Sequence, residues 1–218
     1  MNKKSYILLN IISNAAIFIL MVTAFIMMFF FAQSEALAGS GWNALKYFTV
    51  LSNIYMGLIS LISIIFIFMK KDSKILSIIK LTSTTSVTLT FMTVMAYLGP
   101  LYGYGLMFEG ANLFMHLIIP VFGILHWLFL EPKRDDLKFI HSIYSIVPMI
   151  LYGIVYLSNI AYHGGYGNKD YDWYFFAAKG LGLGLVMFLI MIIVTCVFSI
   201  ALYFGYKKIN LISKNVSD

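Results

Sequence analysis

Hydrophobic residues form six long runs along the 218-residue chain, at 6–32, 46–69, 75–98, 112–130, 139–158 and 176–205. Each run is near or above the roughly 20 apolar residues that an α-helix needs to cross the core of a bilayer. The strands of a membrane barrel would alternate polar and apolar positions, whereas these runs are continuously apolar. The pattern therefore predicts an all-α integral membrane protein with one domain, a six-helix bundle over residues 1–218.

The distribution of lysine and arginine predicts the orientation of this bundle. The first run is much longer than the ~7–15-residue core of a signal peptide, so we expect it to be retained as a helix. If the N-terminus is inside, three basic residues lie in outer segments, Lys46, Lys169 and Lys179. The inner segments then carry twelve: Lys3, Lys4, Lys70, Lys71, Lys74, Lys80, Lys133, Arg134, Lys138, Lys207, Lys208 and Lys214. Positive residues favour the cytoplasmic side, so both termini are predicted to be cytoplasmic.

Composition agrees with a membrane environment, because 61% of the residues are hydrophobic and only 11% are charged. The net charge of +6 does not indicate a nucleic-acid partner, since the basic residues cluster at the ends of spans. Lysine-rich usage with Arg134 as the single arginine suggests an AT-rich bacterial genome. We predict a multi-pass protein of the bacterial cytoplasmic membrane whose partners are membrane lipids, with no obligate protein partner.

His116 is the most informative residue, because an ionisable group within a membrane span is costly, by at least ~2.5 kcal/mol for a charged one. It shares a helical face with Asn112, one turn earlier. In the second run, Thr49 and Asn53 share a face in the same way. Thr49 and His116 each lie about one turn below the predicted outer boundary, so we expect them at similar depth toward the outer leaflet.

A hydroxyl beside an imidazole is the core of a nucleophilic hydrolase, because the imidazole can remove the hydroxyl proton as attack begins. The anionic intermediate then requires hydrogen-bond donors. Tyr156, Asn159 or a backbone carbonyl could orient the imidazole. The spacing of acidic and metal-binding side chains indicates no metal site, and no cofactor is predicted. The residues predicted to bind substrate or the oxyanion are Ser52, Asn53, Asn112, Tyr156, Asn159 and His163.

Two predicted outer loops are rich in glycine and tyrosine, at 99–105 and 162–167. Glycine favours turns, and tyrosine favours the membrane interface. These loops could rest on the lipid headgroups or close over a pocket.

The segments Lys46-Tyr47-Phe48-Thr49-Val50-Leu51-Ser52-Asn53 and Asn112-x-x-x-His116-x-x-x-Pro120 resemble the androgen-induced/ADTRP family, and most closely its bacterial members. That family consists of multipass membrane hydrolases that cleave fatty acid esters of hydroxy fatty acids. The resemblance implies Thr49 as nucleophile and His116 as its catalytic partner, in a six-span protein with cytoplasmic termini. It covers the second to fourth runs best. The aromatic and acidic stretch Tyr171–Phe175 also resembles the family, although it lacks the proline expected near it.

Two other functions stay open from the residues. The polar stripes could line the pathway of a small transporter, although no carboxylate lies in a run and no two-fold repeat is visible. The chain could also be a non-catalytic sensor or assembly protein. A pocket closed at its inner side would favour the enzyme over the transporter.

Overall fold

A computed structural model of the protein describes residues 2–31 and 41–215. In these ranges six helices are long and apolar enough to cross a membrane, which confirms the predicted fold class. They are α1 (Lys4–Phe31), α2 (Phe48–Phe68), α3 (Lys74–Tyr102), α4 (Ala111–Leu130), α5 (Ile140–His163) and α6 (Leu181–Leu211). A short 3₁₀-helix, Gly41–Lys46, precedes α2, and a single helical turn, Tyr104–Met107, lies between α3 and α4. No strand occurs in the described ranges.

The third helix is the centre of the bundle. In an apolar 18-residue stretch of α3, 67% of the residues are buried inside the protein, compared with 22% in the corresponding stretch of α6. Helices α2, α4 and α6 pack around α3, and α1 packs against α2. The hydroxyls of α3 largely bond to carbonyls of the preceding turn, as Thr85 and Ser86 do. This central position explains why the least apolar of the six helices is stable in a membrane: its polar side chains face protein rather than lipid.

Helix α4 is irregular around its proline. Residues Phe114–Ile118 form a π-helical turn just before Pro120. Proline has no N–H to donate to the carbonyl four residues earlier, so the local hydrogen-bond ladder shifts to a wider turn. In that turn the amide of Ile119 donates to the carbonyl of Phe114. His116 therefore lies in a widened turn rather than in a regular helix.

The start of the sixth helix differs from the prediction. The apolar run starts at 176, but α6 starts at Leu181, after Gly180 with a φ of +106°. The buried carboxylate of Asp172 accepts hydrogen bonds from the amides of Gly167 and Ala177, which holds this segment as a loop. The fifth helix is longer than predicted and ends at His163, followed by a left-handed Gly164.

The placement of Lys80 in an inner loop is wrong. Lys80 lies inside α3 and is completely buried. Its ammonium group donates to the side chains of Asn14 in α1 and Ser60 in α2, at 2.6 and 2.8 Å. These acceptors replace the water that a loop lysine would have.

Candidate functional site

Thr49 is the second residue of α2. The side-chain amide of Asn53, one turn later, links the Thr49 turn to α4. The Asn53 side-chain nitrogen donates to the Thr49 carbonyl at 2.7 Å and to the Met115 carbonyl at 3.0 Å. Met115 immediately precedes His116 in the π-helical turn. One fully buried amide therefore joins the turn that carries the hydroxyl to the turn that carries the imidazole. The second and fourth helices are therefore neighbours at this level, which equal depth alone does not determine.

The imidazole of His116 is buried and oriented by a backbone carbonyl. Its Nδ1 lies 2.7 Å from the carbonyl oxygen of Met107, in the short helical turn before α4. A carbonyl can only accept, so Nδ1 must carry the hydrogen of this bond. In the neutral imidazole, Nε2 is then left as the proton acceptor. Of the three orienting groups considered from the sequence, the backbone carbonyl is the one found.

The predicted oxyanion role of Asn53 does not fit its hydrogen bonds. Both bonds of its side-chain nitrogen go to backbone carbonyls, so no donor remains for a developing anion. Its Oδ1 is buried and has no hydrogen-bond partner in the described part of the chain. A buried carbonyl oxygen without a donor is costly, by about 1–3 kcal/mol. Asn53 thus positions the two helices and leaves one acceptor available beside them.

Two more predicted residues lie near this junction. The Ser52 hydroxyl bonds to the Thr49 carbonyl at 2.9 Å and meets the Thr90 hydroxyl of α3 at 3.1 Å. Asn112 is buried at the start of α4, one turn before His116.

The other three predicted residues gather elsewhere, around the loop between α5 and α6. The Tyr156 hydroxyl donates to the buried carboxylate of Asp172, and the Asn159 amide donates to the Tyr171 carbonyl at 3.1 Å. The exposed His163 ring stacks on Tyr171, with centroids 4.1 Å apart. These contacts organise the loop and do not reach His116.

The same loop covers the N-terminus of α2. The Tyr174 hydroxyl accepts a hydrogen bond from the amide of Phe48 at 2.9 Å, and Tyr47, the residue before the helix, provides no side-chain cap. Burial raises the pKa of Tyr174 to about 12, so its hydroxyl stays neutral at physiological pH. The loop therefore acts as a cover at this end of the bundle, which we call the Thr49 end. The 103–110 segment contacts His116 through Met107. The predicted loop at 99–105 is wrong in its first half, because Gly99–Tyr102 is helical and continues α3.

A cavity of about 770 Å³ lies beside this junction, between α2, α3 and α5. On α2 it is lined by Phe48, Leu51, Ser52 and Tyr55, the face adjacent to the one that carries Thr49. Thr49 and His116 are not among its lining residues, whereas Ser52 and Tyr156 are. Its α5 wall includes Leu151 and Val155, which are 60% and 66% exposed on the bundle surface. The cavity is therefore an apolar crevice that opens sideways toward the membrane.

A second polar cluster lies at the opposite end, which we call the Lys80 end. Besides Lys80, it contains His126, whose Nε2 lies 3.8 Å from a Glu131 carboxylate oxygen and 3.4 Å from the Asn14 amide nitrogen. Both His126 and Glu131 are buried. Glu131 directly follows α4, so a carboxylate does reach the bundle interior although the apolar runs contain none. Sequence reasoning missed this cluster.

No metal site is evident in residues 2–31 and 41–215, because no three His, Cys, Asp or Glu side chains come together there. The fold and these two clusters define a six-helix membrane protein in which the buried Asn53 amide links the Thr49 turn of α2 to the turn of α4 that carries His116. No family model, curated protein or solved structure matches the chain.

Proposed function

We propose that this protein is an intramembrane hydrolase of lipid esters, with Thr49 as nucleophile and His116 as general base. The observation that carries the proposal is the hydrogen bond from His116 Nδ1 to the Met107 carbonyl. This bond fixes the tautomer in which Nε2 can accept a proton. The Asn53 bridge to Met115 brings the Thr49 turn against the same segment.

The reaction has two halves, acylation of Thr49 and hydrolysis of the acyl-threonine, and each half requires two proton transfers. His116 Nε2 removes the Thr49 hydroxyl proton as the oxygen attacks the ester carbonyl, and it then protonates the departing alkoxide to release an alcohol. Water enters, gives a proton to Nε2, and attacks the acyl-threonine. The collapse of this second intermediate returns the proton to Thr49 and releases a carboxylic acid.

The resemblance of the Thr49 and His116 segments to the androgen-induced/ADTRP family names the substrate class, fatty acid esters of hydroxy fatty acids or related acyl esters. The distribution of positive residues supports an orientation with the Thr49 end at the outer leaflet of the cytoplasmic membrane. Removing Lys80 from the inner loops leaves eleven basic residues inside against three outside, so the charge argument still holds.

A transporter is less well supported, although the Lys80 end contains charged groups. Between Asn53 and Ser60, the same face of α2 carries Met56, which is fully buried with Val87 and Ile119. These side chains form an apolar layer on this face of α2 between the two polar clusters. A conducting pathway would have to cross that layer.

The test is hydrolysis of acyl esters by the purified protein in detergent or nanodiscs. We expect Thr49→Ala to abolish turnover and His116→Ala to reduce it by roughly 10²–10⁴-fold, the usual contribution of a general base. Thr195→Ala removes a buried threonine hydroxyl that bonds to the Met191 carbonyl within α6, and serves as the control. A fluorophosphonate probe should label the native protein and not Thr49→Ala. Undiminished turnover by both site variants would refute the assignment.

A further inference from the structure

We infer that the crevice between α2 and α5 binds a long-chain carboxylate, with its hydrocarbon chain inside the cavity and its carboxylate on Lys46. The inference rests on the proposed function for its place in the reaction, because ester hydrolysis releases such an acid. It adds a binding site, and a residue that recognises the ligand, which the hydrolase assignment does not require.

The shape of the cavity fits one extended hydrocarbon chain. Its α5 wall runs from Tyr144 to Tyr156, twelve residues or about 18 Å along the helix axis. One leaflet of a bilayer contributes about half of the ~30 Å hydrocarbon core. The wall is therefore about as long as one lipid tail. Apart from a few hydroxyls and Lys46, the lining side chains are hydrocarbon or aromatic.

Lys46 gives the crevice a charged end. It lies in the segment before α2, at the Thr49 end, and is half-buried. Its ammonium nitrogen lies 5.7 Å from the ring centre of Tyr47 and 5.6 Å from that of Trp173, within the range of a cation–π contact. No carboxylate of residues 2–31 or 41–215 forms an ion pair with it. A cation held on two aromatic rings at the end of an apolar crevice complements an anionic headgroup on a hydrocarbon tail.

The cavity also explains the position of this site relative to Thr49. Ser52 lines the crevice and bonds to the Thr49 carbonyl, so the cavity wall is one turn from the nucleophile. Lys46 precedes Thr49 by three residues. A chain in the crevice with its carboxylate on Lys46 is thus held beside the junction where the acid would be released.

The experiment measures binding of radiolabelled palmitate to the full-length Thr49→Ala protein in nanodiscs, with hexadecanol as a neutral ligand of equal chain length. We expect palmitate to bind more tightly than hexadecanol. Lys46→Met should weaken palmitate binding about tenfold or more, as for loss of a charged hydrogen bond, and leave hexadecanol unchanged. Lys46→Arg should restore most of the palmitate affinity. Leu151→Trp, on the membrane-facing wall, should weaken both ligands.

Equal binding of the two ligands, with no effect of Lys46→Met, would overturn the inference and indicate a crevice filled by any lipid tail. Loss of palmitate preference in Lys46→Arg as well as Lys46→Met would overturn the role of the charge. These outcomes are independent of hydrolysis. Carboxylate preference together with full ester turnover by Thr49→Ala would refute the proposed nucleophile and leave the binding site standing.

Discussion

The buried ammonium of Lys80 offers the sharpest test of the polar cluster at the Lys80 end. The perturbation is Lys80→Met, which keeps an unbranched side chain of similar length and removes the charge and its donors. The structure gives the ammonium two short hydrogen bonds, to Asn14 Oδ1 at 2.6 Å and to Ser60 Oγ at 2.8 Å. It also places Lys80 close enough to Glu131 for an electrostatic interaction.

The magnitude depends on whether the loss is that of neutral hydrogen bonds or of a paired charge. Hydrogen bonds between membrane helices average only about 0.6 kcal/mol, with a maximum near 1.7. Lys80 and Glu131 form no ion pair among the described residues, and Glu131 has His126 at 3.8 Å as a further partner, so the loss of about 3–5 kcal/mol for breaking a buried ion pair does not apply. The two hydrogen bonds of Lys80 therefore set the scale. We expect Lys80→Met to lower the free energy of unfolding by about 1–3 kcal/mol.

The assay is reversible unfolding in mixed micelles, followed by circular dichroism as the denaturing detergent is increased. Lys71→Met, in the exposed turn before α3, is the matched control and should change the free energy by less than about 0.5 kcal/mol. In the double variant Lys80→Met/Glu131→Gln, the buried carboxylate is neutralised. Its loss should therefore be smaller than the sum of the two single losses. A loss below about 0.5 kcal/mol for Lys80→Met, no larger than that of the control, would refute the role of these hydrogen bonds, and additive losses would refute an electrostatic coupling of Lys80 to Glu131.

Three further predictions concern the loops and the packing. Tyr174→Phe removes the acceptor for the first amide of α2, and the melting temperature should fall by the equivalent of about 1 kcal/mol; an unchanged value would contradict the capping role. A hydrogen bond from Arg134 holds the pKa of Asp136 below its ordinary value, so this contact stabilises the fold at neutral pH and is lost as pH falls through that lowered pKa. Arg134→Gln should therefore reduce the difference in melting temperature between pH 7 and pH below about 4; an unchanged difference would exclude the contact as its source. Gly57→Leu would bring a Cβ within 2.6 Å of α1 atoms and should destabilise by about 1–3 kcal/mol, unlike Gly182→Leu, whose Cβ meets no atom within 4 Å; equal melting temperatures for these two variants would refute the close packing.

The apolar runs predicted the six helices because a membrane span must satisfy its own backbone hydrogen bonds, which leaves few alternatives. The predicted boundaries failed where side chains decide them. The run from 176 is apolar enough to extend α6. However, the buried Asp172 carboxylate accepts hydrogen bonds from the backbone amides of Gly167 and Ala177, which holds this segment as a loop. Hydropathy gives no information about such contacts.

The similar depth of Thr49 and His116 could be predicted from the sequence, since both lie one turn below the same boundary, but depth does not determine which helices are neighbours. The group that orients His116 could not be predicted. Met107 contributes its backbone carbonyl, which every residue has, so nothing in the residue type marks it. Similarly, Asn53 was a reasonable oxyanion donor by residue type. Only the two carbonyls beside it show that its donors are occupied.

The Lys80 cluster had a signal in the sequence that depth comparison could have used. Lys80 lies six residues into α3, or about 9 Å from its start. Ser60 lies eight residues before the end of α2, or about 12 Å. Two polar groups at similar depth from the same membrane boundary are the pattern that indicated the Thr49 site. Lys80 also lies inside the apolar run 75–98, so its position in the sequence indicates a buried lysine as well as a loop lysine.

One face of α2 connects both clusters and shows why their functions are separable. Thr49 and Asn53 occupy its first turns, Met56 the next, and Ser60 the one after. The Met56 sulfur accepts a hydrogen bond from Ser83 at 3.3 Å, and the Met56 side chain is fully buried between Asn53 and Ser60 on this face. Gly123 of α4 lies against the Met56 methyl group, where an added Cβ would approach to 2.9 Å. This close approach packs α4 tightly against the apolar layer. The Lys80 cluster and the Thr49 end are therefore separated along this face of α2 by buried apolar packing.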